Sequence, residues 1–153
     1  MDKIDYKILK LLQTEPGLNI TEIGKRVGLS HTPCWRRINQ MQDQGVIVSR
    51  SVILDPVALN LDVCVFCFVK LANHQENTLL EFENAVLRLP DVLQCYSITG
   101  DYDYCLRVVT SDIRHYEKVL KRKLIKLPNV AFVNSSFTLR EIKNTTNLPL
   151  GEY

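Results

Sequence analysis

Asn19-Ile-Thr-Glu-Ile-Gly-Lys-Arg-Val-Gly28-Leu-Ser-His-Thr-Pro33-Cys-Trp-Arg-Arg-Ile38 decides the fold of the first third of the chain. Asn19 with Glu22 three residues on is a capping box, so a short helix starts there and turns Ile20, Ile23 and Val27 inward. Gly24 has no side chain to hold a crossing helix away, and Gly28 suits a left-handed turn. Ser30 is a cap residue for the next helix, with Pro33 in the first turn where a missing N–H costs little. At about 100° per residue, Cys34, Ile38 and Met41 share one face. The opposite face collects Thr32, Arg36, Asn39, Gln40 and Asp43. Two short helices about a glycine, the second with an amide- and guanidinium-bearing face, form a helix-turn-helix, and duplex DNA is the partner it implies. Arg, Asn and Gln make paired hydrogen bonds to guanine or adenine edges in the major groove. Ser30, His31, Thr32 and Pro33 lie at the helix start, where N–H groups favour a phosphate. Arg37 joins the DNA-facing set, and Trp35 is expected to pack beside the apolar stripe.

Upstream, Asp2 caps a helix that buries Ile4, Ile8, Leu11 and Leu12 and ends at Pro16-Gly17. Downstream of Gly45, two short extended runs about Ser49-Arg50 suggest a wing, with Arg50 reaching a phosphate. Residues 1–54 thus read as a winged helix-turn-helix domain, and 55–62 as a linker with one helical turn.

Residues 63–153 read as a second domain. Strand patterns at 63–71, 92–99, 103–110 and 130–139 alternate with amphipathic helices at 77–88 and 113–126. Leu89-Pro-Asp-Val92 is echoed by Leu127-Pro-Asn-Val130. The order βαββαβ is a ferredoxin-like sandwich, which makes the whole chain α+β. The first strand is apolar on both faces, with Val65, Cys67 and Val69 on one and Cys64, Phe66 and Phe68 on the other. Helices cover one face only, so a second copy is expected on the other, as a two-fold dimer. Paired recognition helices would then read half-sites about one DNA turn apart.

The chain has 153 residues, 46% hydrophobic content and a net charge of +2. Residues 1–55 hold eight Lys/Arg against six Asp/Glu, so a slight basic excess sits with the helix-turn-helix. No segment offers the roughly 20 apolar residues that span a bilayer, and the amino end reads as an amphipathic helix rather than a leader. A cytoplasmic protein is expected. Cys64 and Cys67 fall on a strand at odd separation and face opposite ways, so they do not chelate one ion. All five cysteines are expected as reduced thiols, with a Cys95–Cys105 redox switch as an alternative. Nothing marks an enzyme or a cofactor: no His is paired with a nucleophile, no metal spacing or phosphate loop occurs, and His31, His74 and His115 fall on separate elements.

Gly100-Asp-Tyr-Asp-Tyr104 concentrates polar groups between two strands. Gly100 lets a backbone N–H approach an anion, Asp101 and Asp103 accept from an ammonium group, and Tyr102 and Tyr104 offer walls with a hydroxyl. That set suits both charged ends of a free amino acid. Two or three charge-assisted bonds at ~1.5–3 kcal/mol each suffice for roughly millimolar binding. The same residues are also ordinary hairpin punctuation.

With these residues in view, the chain resembles the Lrp/AsnC (feast/famine) family of regulators over almost its full length. The matching pieces are Leu11-Leu-Gln13, Val27 to Ile38, Gly45-Val-Ile47, Leu54-Asp-Pro56, Thr99 to Tyr104, and Glu141 to Pro149. The resemblance implies a transcriptional regulator with a ferredoxin-like effector domain, dimers through that domain, and rings of four dimers making an octamer. It also implies an amino-acid pocket at Gly100, Asp101, Tyr102, Asp103 and Tyr104, with Ser135 and Ser136 contributed by a neighbouring subunit. Thr32-Pro-Cys-Trp35 and Thr145-Thr-Asn-Leu-Pro149 are similar to a branch that includes a cysteine-responsive activator, which makes cysteine a candidate effector. His31 departs from the Pro, Thr or Ser common in the family, so base preference is not carried over. The alternatives are a ligand-independent architectural DNA binder of the same fold and a thiol-based redox regulator.

Overall fold

The computed structural model describes residues 1–151 and divides into two compact units. The first holds Met1–Ile53 together with the segment from Ile142 onward, and the second holds Leu54–Glu141.

Three helices make the first unit: α1 (Lys3–Thr14), α2 (Ile20–Val27) and α3 (His31–Asp43). Asp2 caps α1 by accepting from the N–H groups of Ile4 and Asp5, and Asp5 accepts from Asp2 in return. Asn19 and Glu22 form the anticipated box on α2. Ser30 occupies the cap position of α3, but its side chain makes no capping hydrogen bond. Ile8, Leu9, Ile23, Cys34, Ile38 and Met41 form the core, with Ile4, Leu11, Leu12, Ile20 and Val27 at its margin.

The turn between α2 and α3 fixes how α3 is presented. Gly28 sits at φ 77°, and the Leu29 N–H donates to the Gly24 carbonyl at 2.8 Å. A Cβ on Gly24 would stand 2.7 Å from the Leu29 carbonyl oxygen, closer than a carbon can approach. Gly24 is therefore excluded from carrying any side chain by the backbone of the turn itself.

Two expectations for this part of the chain are corrected. Residues 46–54 form no strands, so the two extended runs expected about Ser49-Arg50 are not paired as a ribbon and Arg50 lies on irregular, exposed chain. The Val46 and Ile47 N–H groups both donate to the Met41 carbonyl, closing α3. A two-stranded ribbon beyond that point has no third element to cover its apolar face, and Val48, Val52 and Ile53 are exposed. The carboxyl-terminal segment, read from sequence as part of a domain running to 153, groups with the first unit instead. The Gln13 carboxamide accepts from the Leu148 N–H at 2.8 Å and donates to the Leu148 carbonyl, while Leu150 packs at the first core. Positions 152 and 153 of that range lie outside the described residues.

The second unit is an antiparallel sheet in the order β2-β3-β1-β4, built from β1 (Val63–Leu71), β2 (Val92–Ser97), β3 (Tyr104–Thr110) and β4 (Val130–Phe137). Two helices, α4 (Glu76–Val86) and α5 (Ile113–Arg122), complete the βαββαβ order. The segment 55–62, expected as a separate linker, belongs to this unit and contains a 3-10 turn at Val57–Leu59. The second helix is shorter than the 113–126 expected: Lys123 leaves helical geometry and a 3-10 turn follows at Leu124–Lys126. Val65, Cys67, Val69, Leu106 and Val108 face the helices and pack with Phe82, Val86, Tyr116 and Val119. Register places Cys64, Phe66, Phe68, Cys105, Arg107, Asn134 and Ser136 on the other, helix-free face. Among the described residues no helix is long and apolar enough to cross a membrane.

Trp35 is the one tryptophan of the chain and reports the first unit alone. Gly24→Ala should destabilise that unit by about 1–3 kcal/mol, the usual cost of overpacking. Urea unfolding followed by Trp35 fluorescence checks this, and an unchanged midpoint would contradict the close approach described.

Candidate DNA-binding and effector sites

α3 presents its outer face because Cys34, Ile38 and Met41 anchor the inner one. His31, Thr32, Arg36 and Gln40 are exposed, while Pro33 and Asn39 are half-buried. Arg36, Asn39 and Gln40 therefore share one accessible side of the rod, in reach of a groove edge. The first-turn N–H groups of α3 receive no side-chain cap from Ser30, which leaves that end electropositive. Trp35, expected to pack, is 46% exposed: one step of about 100° from Cys34 carries it out of the core.

Arg37 is half-buried at the edge of that side, beside Arg36 and Gln40. Its Nη1 donates to Asp2 Oδ2 and to Asp5 Oδ1, both at 2.8 Å, joining α3 to the capped start of α1. Those bonds, with Asp5 first and Asp2 second, hold the guanidinium above even its ordinary pKa. The Asp2 carboxyl is held below its usual range by the Asp5 N–H first and by Arg37 next. Arg37 thus ties α3 to the start of α1.

In the second unit, Gly100 sits at φ 117° in the turn joining β2 to β3, and the Ile98 N–H donates to the Asp103 carbonyl at 2.9 Å to close the hairpin. The five residues of the loop do different things. Asp103 turns back into the fold: its Oδ2 accepts from the Leu71 N–H at 2.7 Å, and its Oδ1 lies 2.8 Å from His74 Nε2 and 3.5 Å from Lys70 Nζ. Burial raises its pKa, but the Leu71 and His74 hydrogen bonds and the charges of His74 and Lys70 outweigh that and hold the carboxyl below the usual range. Tyr104 is buried on the helix side, with its ring 4.6 Å from Phe82 and its hydroxyl donating to Glu83 at 2.7 Å. Burial first, then Glu83, pushes its phenol upward. Tyr102 takes the other face, against Phe68 and Phe132, and accepts from Asn134 Nδ2 at 3.0 Å. Gly100 and Asp101 are exposed.

Ser135 and Ser136 separate in the same way, because adjacent strand residues point to opposite faces. Ser135 bonds the Tyr116 hydroxyl on the helix side, in a buried chain with Cys67, while Ser136 pairs across from Phe66 on the open face. The loop and β4 thus bring Tyr102 together with Phe68, Phe132 and Asn134. Those last three were missed in the sequence reading, although the alternation of β4 could have found Phe132 and Asn134. Asp103, Tyr104 and Ser135 have partners of their own elsewhere.

Cys95 and Cys105 lie on paired strands but face opposite sides: Cys95 is opposite Leu106, and Cys105 opposite Tyr96. They cannot bridge without a register slip. Burial raises the thiols of Cys34, Cys67 and Cys105, and burial together with Glu83 and Cys105 pushes Cys95 up to about 11. Thiols so raised stay protonated near neutrality, whereas the thiolate is the reactive form.

Residues 1–48 match the family model for winged helix-turn-helix DNA-binding domains, and residues 64–148 match the model for the Lrp/AsnC ligand binding domain. The chain belongs to the Lrp/AsnC family of transcriptional regulators. It is 35% identical over 150 residues to the DNA-binding transcriptional activator DecR of Escherichia coli K12, covering 98% of this chain and 99% of that one. It is 38% identical over 145 residues to the proline dehydrogenase transcriptional activator of Rhizobium radiobacter, covering 95% and 93%. Among solved structures, an AsnC family regulator from Agrobacterium tumefaciens superposes with a TM-score of 0.92 at 44% identity. A transcriptional regulator from Neisseria meningitidis, solved as its L-Met complex, gives 0.92 at 35%. Each covers 98% of this chain and 97% of its own. These relatives are named as regulators, not enzymes.

Because the Asp103 carboxyl is held low in the folded chain, its contribution is complete above the usual aspartate range and is lost as pH falls through the lower folded value. The protection factor of the Leu71 amide, its exchange relative to an unstructured peptide at the same pH, should fall across that acid window, and Asp103→Ala should lower it at neutral pH. An amide equally protected in the variant would contradict the clamp.

Proposed function

We propose that this chain is a sequence-specific DNA-binding transcriptional regulator, acting in the cytoplasm and responding to a free amino acid. The observation that carries the reading is the outward row of Arg36, Asn39 and Gln40 on α3, held in place by Gly24 and the Arg37–Asp2–Asp5 ion pairs. That face enters the major groove, while Ser30, His31, Thr32 and Pro33 at the uncapped helix start meet a phosphate and Arg50 reaches another. Arg36→Ala should cost about 1–3 kcal/mol, roughly five- to 150-fold, at the base it contacts. Footprinting and titration of the preferred duplex read this, and unchanged affinity would remove Arg36 from the interface.

The effector reading rests on Gly100, Asp101 and Tyr102, with Ser136 and Asn134 on the same side of the sheet. Asp103 holds the loop, and Tyr104 anchors its end against Phe82 and Glu83. The Neisseria relative in complex with L-Met supports an amino acid as the ligand class. Cysteine is the first candidate to test. Coupling of about 1–3 kcal/mol between ligand and DNA sites is typical of such regulators. Calorimetry with each of the twenty amino acids tests the idea, and heat from none would favour a ligand-independent architectural binder.

The open sheet face supports a homodimer, itself able to assemble into an octamer. Phe66, Tyr96 and Phe132 are 37%, 55% and 55% exposed, a large aromatic surface for a lone chain. Phe66→Asp should reduce the particle seen by light scattering to a single chain while leaving Trp35-monitored unfolding intact. A variant of unchanged mass would contradict this interface.

A further inference from the structure

Positive charge is concentrated away from the helix-turn-helix. Between Ile113 and Lys126 stand six lysines and arginines against one acid, Glu117, in a chain whose net charge is +2. Residues 1–55 hold eight cations against six acids, and Arg26 and Arg37 are already paired there with Glu15 and with Asp2 and Asp5. Phosphate contacts supply much of the affinity of a protein for DNA, and α3 by itself offers few free cations to make them.

α5 buries Tyr116 and Val119, so its other side is turned to solvent. Arg114, Lys118 and Arg122 recur there every four residues, about 6 Å apart along the helix, and all three are exposed. The nearby acids are engaged elsewhere. Glu117 pairs with Lys121 at 2.6 Å, Asp91 pairs with Lys123, and Asp112 accepts from the His115 N–H as the cap of α5. Among the described residues no carboxylate lies within ion-pair distance of Arg114, Lys118, Arg122 or Lys126. The result is a straight row of unpaired cations at a spacing on which successive phosphates of one strand can be met in turn.

We propose that the Arg114–Lys118–Arg122 row is a second DNA-backbone surface that holds the duplex flanking the sequence read by α3. This rests on the DNA-binding reading above. The row carries no amide that would read a base edge, so it adds affinity without sequence preference. An anionic membrane is the poorer partner, because the apolar side of α5 is buried in the core and cannot enter a bilayer.

The test is the full-length triple variant Arg114→Gln, Lys118→Gln, Arg122→Gln, confirmed folded by its thermal melt. Affinity is titrated against salt on a duplex limited to the preferred site and on one three times as long. Each phosphate contact contributes about 0.9 to the slope of log affinity against log salt. On the long duplex the variant should show a slope shallower by about 2–3 and at least tenfold weaker binding, with little change on the short one. Arg114→Lys with Arg122→Lys should keep the parent slope. Equal slopes for parent and triple variant on long DNA, or equal losses on both lengths, would overturn the proposal. So would charge-dependent binding to phosphatidylserine vesicles with unchanged DNA slopes. If Arg36→Ala leaves the short duplex unaffected while the triple variant still loses slope on the long one, the α3 reading fails and this surface stands.

Discussion

The presentation of α3 depends on a contact that no side chain is allowed to enter. The position a Cβ would take on Gly24 is 2.7 Å from the Leu29 carbonyl, so α2 and the turn meet backbone to backbone. Gly28, in its left-handed conformation, brings the chain round to make that meeting possible. Arg37 then ties α3 to α1 through two carboxylates. With the rod fixed at both places, Arg36, Asn39 and Gln40 are held out as a set. A recognition surface needs this rigidity, since paired hydrogen bonds to a base edge tolerate little misplacement.

The second unit applies the same economy to a loop. Asp103 joins the β2–β3 turn to the end of β1 and to His74. Tyr104 and Ser135 are likewise engaged beneath the surface. Gly100 and Asp101 stay exposed and Tyr102 half-buried. Asn134 adds a polar edge by donating to Tyr102. The helix-free face beside it carries the aromatic surface that a second copy would cover.

Local signals were legible in the sequence. Asn19 with Glu22, Gly28, and the Cys34–Ile38–Met41 stripe all concern residues within a few positions of one another, where capping and periodicity rules act. The alternation in β1 correctly separated Cys64 from Cys67. Long-range partnerships were not legible. No local rule pairs Arg37 with Asp2 and Asp5 of α1, or Asp103 with the Leu71 N–H at the end of β1. Ser135 and Ser136 differ by one residue, and only register says which faces in. Among the described residues, the extended runs at 46–54 pair with no strand. The Gln13–Leu148 clamp joins positions too distant for any local rule to connect.

Selection of bound duplexes from a randomised pool tests the central claim most directly. The account predicts enrichment of paired half-sites centred about one helical turn apart, with the preference at individual bases altered by Arg36→Ala and left in place by the triple substitution on α5. Recovery of a pool no different in sequence from its input, at salt concentrations where the protein is bound, would contradict it.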